Sequence, residues 1–369
     1  MSHAESRLFQ SWAHGSLSLR NRVVMAPMTR RMAAEDGIAT EATAAYYRRR
    51  SEGEVGLIIS EGTAIDDRHA YDTLTVPRIE TEAQFQGWER VVEQVHAAGG
   101  AFAPQLWHTG RLAADPIGPS AGPGPERADG TRRPDTREMT DEDFAQVLDA
   151  FAHAAVGSRR IGCDALEIHG AHGYLLDSFL SPVNNRRKDA WGGSFEKRMR
   201  FPLEVLRRVR TAVGPDFPII YRFSQWQMDD YRELKFREPA QLRDWVLALR
   251  ETGVDILHVS TRAATDAAFP EDPKHPDWSL ATWARHFSGI PTIAVGKVSV
   301  TLGMDEAYGE TPDATADPRP SIALVDRGEV DLLAVGRALI ANPDWVKTVR
   351  DGSWRDLEPF HKDMLKTLV

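Results

Sequence analysis

Short apolar runs alternate with longer amphipathic segments along almost the whole chain, and this alternation limits the folds open to it more than any other feature. The runs show little alternation of polar and apolar residues, which is typical of strands buried on both faces of a parallel sheet. Each one predicts a strand. They are Arg22–Met25, Val55–Ser60, Ala101–Leu106, Ala165–Ile168, Pro218–Phe223, Asp255–Ser260, Pro291–Val295 and Leu332–Val335.

A segment with apolar residues spaced as on one face of a helix follows each run. These predicted helices are Thr40–Arg50, Glu82–Ala98, Thr140–Ile161, Phe195–Val213, Glu238–Thr252, Ala281–Phe287, Ser321–Arg327 and Asn342–Arg350. Eight strands that are each followed by a helix predict an α/β fold, the (β/α)8 TIM barrel. A doubly wound open sheet is the alternative. It is weaker because eight alternations make one full barrel and no G-x-G-x-x-G follows the first strand.

Composition excludes several classes of protein. The 369 residues carry a net charge of −9, which argues against a nucleic-acid partner. Cys163 is the only cysteine, so an internal disulfide framework and a cysteine-ligated iron–sulfur cluster are excluded, and a reducing compartment fits. No apolar stretch approaches ~18 residues, and the first residues lack the apolar core of a signal peptide. We therefore expect a soluble, cytoplasmic protein without a membrane partner.

Two connections are longer than a barrel needs. Residues 111–137 follow the third strand and are rich in proline and glycine, so they are neither helix nor central strand. Their position predicts a loop at the C-terminal mouth of the barrel, where substrate loops lie. Residues 299–320 follow the seventh strand and are interpreted as a lid or as a surface insertion. The tail, residues 354–369, is interpreted as a closing helix or as the contact of a homo-oligomer.

Polar residues or glycines follow every predicted strand, at the end of a barrel where active sites lie. The last two such pairs, Gly296-Lys297 and Gly336-Arg337, place a glycine beside a cation on adjacent strands. Strands 7 and 8 of barrels commonly build a phosphate site, so the pairs favour phosphate binding. The alternative is that the glycines permit tight turns and that Arg337 caps a helix.

Five stretches carry a resemblance to a known family. They are NRVVMAPMTR (21–30), SEGT (60–63), QLWHTGR (105–111), EIHGAHGYLLDSFLSPVNNRRKDAWGGSFEKRMRF (167–201) and VGRALIANPDW (335–345). From about Asn21 to Asn342 the sequence resembles the old yellow enzyme family of FMN-dependent ene-reductases. The resemblance implies one FMN-binding barrel over residues 1–369, with the loop at 111–137 and the insertion at 299–320.

The same resemblance implies which residues hold FMN. Some line the isoalloxazine ring, two hold its pyrimidine edge, and the glycine–cation pairs hold the phosphate; a cation at the pyrimidine edge favours the anionic reduced flavin. Lys297 departs from the small residue that many members carry. Thr29 replaces the cysteine of some members, so no thiol tunes the flavin. The implied residues are Pro27, Met28, Thr29, Gly62, Gln105, Arg222, Gly296, Lys297, Gly336 and Arg337.

The resemblance also implies the catalytic residues. His169 and His172 donate hydrogen bonds to a carbonyl or nitro oxygen of the substrate, as an oxyanion hole does. Tyr174 delivers a proton to the substrate as a general acid. Trp107 walls the substrate pocket, although core packing would explain it nearly as well. Glu167, on the same strand face as His169, is expected to be buried and to need a hydrogen-bonding or cationic partner.

Other functions stay open at this point. An H-x-x-H pair such as His169 and His172 could bind zinc, but no third ligand is evident and no metal is expected. Tyr174 could be an ordinary buried aromatic residue. The expected activity is reduction of activated C=C bonds in a small molecule with NADPH or NADH as the reductant. The rivals are nitro or nitrate-ester reduction, desaturation, and a flavin-free phosphate-binding lyase or isomerase.

Overall fold

The computed structural model describes residues 5–66, 69–126, 130–228, 231–232, 234–303, 306–307, 309 and 311–369. At its centre, eight parallel strands form a closed barrel in chain order. The predicted (β/α)8 TIM barrel is confirmed. The strands are β1 (Val23–Met25), β2 (Leu57–Ala64), β3 (Ala101–Trp107), β4 (Leu166–His169), β5 (Ile219–Ser224), β6 (Ile256–Ser260), β7 (Thr292–Val295) and β8 (Leu332–Val335).

Helices follow the strands in the predicted order. Three of them begin at a threonine, at positions 40, 81 and 140, whose hydroxyl accepts the N–H of the third helical residue, so the backbone is satisfied where each helix starts. Two short helices, α4 and α9, were not predicted because five or six residues are too few to show a helical period. The helices are α1 (Glu41–Glu52), α2 (Glu82–Ala97), α3 (Asp141–Arg160), α4 (Leu175–Leu180), α5 (Phe195–Val213), α6 (Pro239–Glu251), α7 (Leu280–Ser288), α8 (Arg319–Asp326), α9 (Arg337–Ala341) and α10 (Trp345–Arg350).

An N-terminal hairpin closes one end of the barrel. Its strands, Trp12–His14 and Leu17–Leu19, pair antiparallel. The buried side chains of Trp12, Leu17 and Leu19 pack in one apolar cluster with the first inward residues of the barrel strands, such as Leu57 and Leu332. Because the amino ends of the strands are covered by this hairpin, the carboxyl ends form the accessible mouth.

The connections at 111–137 and 299–320 contain little regular structure. The first holds a 3₁₀ turn, Gly110–Leu112, and two paired two-residue strands, Ile117–Gly118 and Arg137–Glu138. Positions 127–129 of the first connection, and 304, 305, 308 and 310 of the second, lie outside the described residues. Of the described helices, none combines the length and apolar character that crossing a bilayer requires.

The tail differs from the predicted closing helix. Its ordered turns are two short 3₁₀ segments, Trp354–Asp356 and Lys362–Lys366. Phe360 is buried and pairs with Asp313 of the insertion that follows β7. The Arg30 guanidinium donates to the tail carbonyls of Met364 and Thr367, at 2.9 and 2.6 Å. The tail therefore lies across the mouth of its own barrel.

Candidate active site

The carboxyl ends of the strands surround a cavity of about 540 Å³. Its walls come from seven strand ends, all but that of β2, and from the tail. The structure brings these predicted residues together around it: Pro27, Met28, Thr29, Gln105, Trp107, His169, His172, Tyr174, Arg222, Gly296, Lys297, Gly336 and Arg337.

Gly62 is the predicted residue that lies elsewhere. It is not among the residues that line the cavity. A Cβ at this position would lie 2.6 Å from Cε3 of Trp107, so the glycine allows the indole to pack directly on β2. Gly62 thus shapes the site through Trp107 in this structure. Direct contact between its backbone and a flavin ring stays a prediction.

Glu61 binds the backbone of the segment that follows β1. One oxygen of its carboxylate, Oε2, accepts the backbone N–H groups of Arg30 and Arg31, at 2.7 and 2.9 Å. Burial raises the pKa of Glu61 to about 7, although these two N–H groups and the two guanidinium charges oppose the rise. The carboxylate fixes the backbone immediately after Thr29, which is the residue predicted to contact the flavin.

Gln105 and Glu167 form a buried pair in neighbouring strands. Gln105 Nε2 donates to Glu167 Oε1 at 2.7 Å, and the other carboxylate oxygen lies 2.5 Å from His258 Nδ1. Glu167 therefore has the partners that its predicted burial requires. Because a carboxylate only accepts, the amide nitrogen of Gln105 must face it. The amide oxygen, which has no partner among the described residues, is left as an acceptor toward the cavity.

Arg222 supplies a buried cation beside this pair. Its side chain lines the cavity, and its Nε donor is buried without a hydrogen-bond partner among the described residues. Burial lowers the pKa of Arg222, and the charge of Glu167 opposes that effect. A buried donor without an acceptor is costly, so this guanidinium is suited to an anionic or carbonyl-bearing ligand.

The backbone at the end of β7 has an unusual conformation. Gly296 has φ of +154° and Lys297 has φ of +45°, so two successive residues leave the usual range. A Cβ at Gly296 would lie 2.6 Å from the carbonyl oxygen of Thr261, which leaves room for glycine alone. Turns of this kind can direct successive N–H groups at one anion. The exposed side chain of Lys297 adds a positive charge.

Arg337 has a second connection that the sequence did not show. Its guanidinium donates to the carbonyls of Gly303 and Leu302, at 3.2 and 2.6 Å, and pairs with the buried Asp313 at 3.3 Å. Arg337 therefore ties the insertion after β7 to the end of β8, in addition to lining the cavity. A phosphate contact for Arg337 stays a prediction.

Five aromatic rings form one wall of the cavity. The rings of His169 and Tyr174 lie edge to face, with 4.9 Å between their centroids. Trp107 and Tyr174 have the same arrangement, with 5.0 Å between centroids. The centroid of the His172 ring is 5.2 Å from that of His169 and 4.2 Å from that of Trp226, on which the His172 ring stacks. The predicted donors and the predicted acid thus share one wall of the cavity.

The backbone at His172 has an unusual conformation that several hydrogen bonds stabilise. His172 has φ of +63°, and its N–H donates to Ser224 Oγ at 2.9 Å. The next N–H, that of Gly173, donates to the Asp177 carboxylate at 2.8 Å, which forms a buried ion pair with Lys235. A left-handed conformation costs on the order of 1 kcal/mol in a residue with a side chain, so these contacts hold His172 in place.

Both histidines are neutral near pH 7. Burial is the main cause that lowers the pKa of His169 and of His172 well below 6.5, and the nearby charge of Arg222 lowers both further. A neutral imidazole has one donor and one acceptor nitrogen. Each ring therefore offers a single N–H, and its position depends on what the other nitrogen contacts.

Several residues of the mouth were missed by sequence reasoning. Trp226 and Met228 lie in the loop after β5, and Phe360 and Leu365 come from the tail. Strand ends alone do not show them, because a tail that folds back has no local signature. The predicted loop at 111–137 does not contribute: no residue of 111–126 or 130–137 lines this cavity.

No group of three or more His, Cys, Asp or Glu side chains that could hold a metal ion occurs among the described residues. The chemistry of the cavity fits a flavin nucleotide instead. One end has an acceptor amide and a guanidinium whose Nε has no partner among the described residues, and the other end has a glycine turn with cations beside it. The volume lies within the range of small-molecule sites, roughly 300–1,000 Å³. The fold and the site together define a flavin-dependent oxidoreductase of the barrel type.

Comparison with known proteins gives the family. Residues 7–355 match the model of the NADH:flavin oxidoreductase / NADH oxidase family, and the chain belongs to this family, that of the old yellow enzymes. FMN is accordingly its cofactor and NADPH or NADH its co-substrate. The family assignment leaves no support for a flavin-free lyase or isomerase.

Two curated relatives illustrate the similarity. The chain is 34% identical over 363 residues to a NADH oxidase of Thermoanaerobacter brockii, covering 95% of this chain and 52% of that protein. It therefore spans about half the length of that oxidase. A NADPH dehydrogenase of Halalkalibacterium halodurans is 32% identical over 342 residues, which cover 92% of this chain and 93% of the dehydrogenase.

Solved structures of related enzymes have the same fold. Morphinone reductase in complex with tetrahydroNAD superposes with a TM-score of 0.79 at 30% identity, covering 97% of this chain and 93% of that one. The old yellow enzyme homologue from Zymomonas mobilis superposes with a TM-score of 0.80 at 26% identity, covering 97% and 96%.

Proposed function

We propose that this FMN-dependent NAD(P)H oxidoreductase reduces activated C=C bonds of α,β-unsaturated carbonyl or nitro compounds. The observation that supports the proposal most strongly is the arrangement of the wall formed by β4. It presents two neutral histidines, each with one ring nitrogen that has no partner among the described residues, beside a tyrosine hydroxyl in the cavity predicted to hold FMN. Two donors and one acid are what conjugate reduction requires.

The residues of the chain divide the work as follows. When bound, FMN supplies the hydride that reduces the substrate. His169 and His172 donate to the carbonyl or nitro oxygen, on which negative charge develops, and stabilise it. Tyr174 gives its hydroxyl proton to the α-carbon. Gln105, Arg222 and the glycine–cation pairs hold the cofactor, and Trp107 positions the ring of Tyr174.

The wall also limits access of water. The exposed fractions are 4% for His169, 8% for His172 and 2% for Trp107. Hydrogen bonds to a developing charge are stronger in such a dry setting than in water. A relative named 12-oxophytodienoate reductase 7, from Oryza sativa, is 32% identical over 365 residues, and its name, like that of morphinone reductase, denotes a ketone-bearing compound.

Tyr174→Phe tests the proposed acid. We expect the rate at which an enone reoxidises the reduced enzyme to fall on the order of 10²- to 10⁴-fold, since general acid catalysis contributes about that much. Reduction of the enzyme by NADPH needs no proton from Tyr174 and should be unchanged. Anaerobic stopped-flow absorbance measures both half-reactions.

Tyr46→Phe is the matched control. The Tyr46 hydroxyl is buried in α1 and does not line the cavity. Both half-reactions should keep their wild-type rates in this variant. Enone reduction that is undiminished in Tyr174→Phe would show that another group supplies the proton.

A further inference from the structure

Ser260 lies at the end of β6 and connects two residues of the site. Its hydroxyl oxygen is 2.9 Å from His172 Nε2 and 3.5 Å from Arg222 Nη2. The serine is 4% exposed and lines the cavity. It lies outside the stretches that carry the family resemblance, and the resemblance implies no role for it.

The chemistry of the three groups fixes the direction of these contacts. A guanidinium has donors only, so the side of Ser260 Oγ that faces Arg222 carries lone pairs. At 3.5 Å the hydrogen bond itself is weak, but the positive charge still repels the hydroxyl proton. Among the described residues, His172 Nε2 is the one acceptor within hydrogen-bond distance of this hydroxyl, so the proton of Ser260 points at it and His172 Nε2 is the acceptor nitrogen. A neutral His172 then carries its own proton on Nδ1.

His169 has the opposite arrangement. Its Nδ1 accepts the backbone N–H of Ala171 at 3.2 Å, so its proton is on Nε2. Two different contacts thus set two different tautomers, and each leaves the N–H on the ring nitrogen that has no partner among the described residues. The alternative tautomer of His172 would offer a substrate oxygen a lone pair, which repels it.

The orientation of the His172 ring does not depend on Ser260 alone. The ring is stacked on Trp226 with planes 16° apart, and the backbone is held by Ser224. Loss of the Ser260 hydroxyl should therefore leave the ring in place while removing the group that selects its tautomer.

We propose that Ser260 is a positioning residue that selects the Nδ1-protonated tautomer of His172 and so makes this histidine a donor to the substrate oxygen. The donor role rests on the proposed function. The tautomer itself does not, and it can be measured separately.

The direct test is ¹⁵N NMR of the FMN-loaded enzyme labelled in histidine, with the His172 signals assigned from His172→Gln. We expect wild-type His172 to be protonated on Nδ1 and His169 on Nε2. In Ser260→Ala the His172 signals should move toward the Nε2-protonated form, and Ser260→Thr, which keeps the hydroxyl, should retain the wild-type signals. Protonation of wild-type His172 on Nε2 would overturn the proposal.

Ligand affinity gives the second test. The probe is 4-hydroxybenzaldehyde, whose binding to oxidised holoenzyme is followed by charge-transfer absorbance, and the FMN affinity of each variant is measured alongside. Ser260→Ala should weaken binding about tenfold or more, as loss of one hydrogen bond to a charged oxygen predicts. Ser260→Thr should restore it to within about threefold. Wild-type affinity in Ser260→Ala would contradict the selecting role.

The two levels of failure can be told apart. If His172 shows the expected tautomer but the wild-type enzyme neither binds the probe nor reduces an enone, the proposed function is wrong and the tautomer assignment stands. If the enzyme reduces enones but Ser260→Ala leaves the His172 tautomer unchanged, the role of Ser260 is wrong and the function stands.

Discussion

His169 and His172 show how burial decides the chemistry of a single residue. A histidine in water titrates near pH 6.5, but these two rings are enclosed and lie close to Arg222, so their pKa values are depressed. In the proposed role they are neutral donors and not cations. A neutral donor stabilises charge that develops during the reaction without binding every anion present at rest, such as chloride or phosphate.

A pH series tests the neutral state of the histidines. Because the pKa of both is lowered well below 6.5, lowering the pH from 8 to 6 should protonate neither. The Kd of 2-cyclohexenone, which does not titrate, should therefore stay within about twofold over this range. Spectral titration of the oxidised holoenzyme measures it. A break in the Kd near pH 6.5 that is lost in His169→Gln or His172→Gln would show a histidine with an ordinary pKa.

At the residue scale the sequence predicted which residues line the cavity better than it predicted their contacts. The motif placed His169, His172 and Tyr174 together because all three lie at the end of one strand, β4. It could not show that Arg337 pairs with Asp313 or that Gly62 lies under Trp107. Those contacts join residues far apart in the chain, and they depend on packing that no local pattern records.

The helices and strands were predicted well where the apolar spacing is clear and, for three helices, a threonine cap marks the start. All eight barrel strands and the long helices follow from apolar spacing, and the threonine caps mark where three helices begin. The N-terminal hairpin was missed because its strands have only three residues each, which is too few to show a pattern of apolar residues. The tail was interpreted as a closing helix or as an oligomer contact. In the structure it forms two short 3₁₀ segments, and Phe360 and Leu365 line the cavity.

The contact between α2 and α3 gives a prediction at this scale. Gly157 of α3 faces Phe85 of α2, and a Cβ at Gly157 would lie 1.9 Å from Cε1 of that ring. Gly157→Ala should destabilise the protein by about 1–3 kcal/mol, the usual cost of overpacking. That cost exceeds the gain in helix propensity, up to ~1 kcal/mol. Urea unfolding at saturating FMN measures the difference.

The neighbouring Val156 provides the control. It is 46% exposed on the same helix, so Val156→Ala should change stability by no more than about 0.5 kcal/mol. Equal or greater stability of Gly157→Ala would mean that the two helices can separate at this contact without cost.

For the whole molecule, the distribution of charge is uneven. The chain carries a net charge of −9, yet no Asp or Glu among the described residues lines the cavity. The lining cations are Arg30, Arg31, Arg222, Arg262, Lys297 and Arg337. An electropositive mouth on an acidic protein attracts anions toward the site and directs other cations elsewhere.

This field predicts a selective effect of salt. Raising the ionic strength from 0.05 to 0.5 M shortens the Debye length to a few ångströms, so kcat/KM for the anionic NADPH should fall severalfold. The rate with 2-cyclohexenone, a neutral oxidant, should change by less than about twofold and serves as the control. Steady-state and stopped-flow rates at several salt concentrations measure this. Equal salt dependence of the two substrates would mean that the lining cations do not steer NADPH.

In the proposed mechanism one cavity holds FMN, two hydrogen-bond donors to the substrate oxygen and one proton donor, and together they carry out conjugate reduction. The most direct measurement is a single anaerobic turnover: holoenzyme is reduced with one equivalent of NADPH and mixed with 2-cyclohexenone, nitroalkene or nitrate ester, and the products are identified. We predict rapid reoxidation by the enone with one equivalent of cyclohexanone, strongly slowed when His169 and His172 are both replaced by Ala. Enzyme that stays reduced with the enone and the nitroalkene, yet reoxidises with the nitrate ester or with oxygen, would contradict the claim.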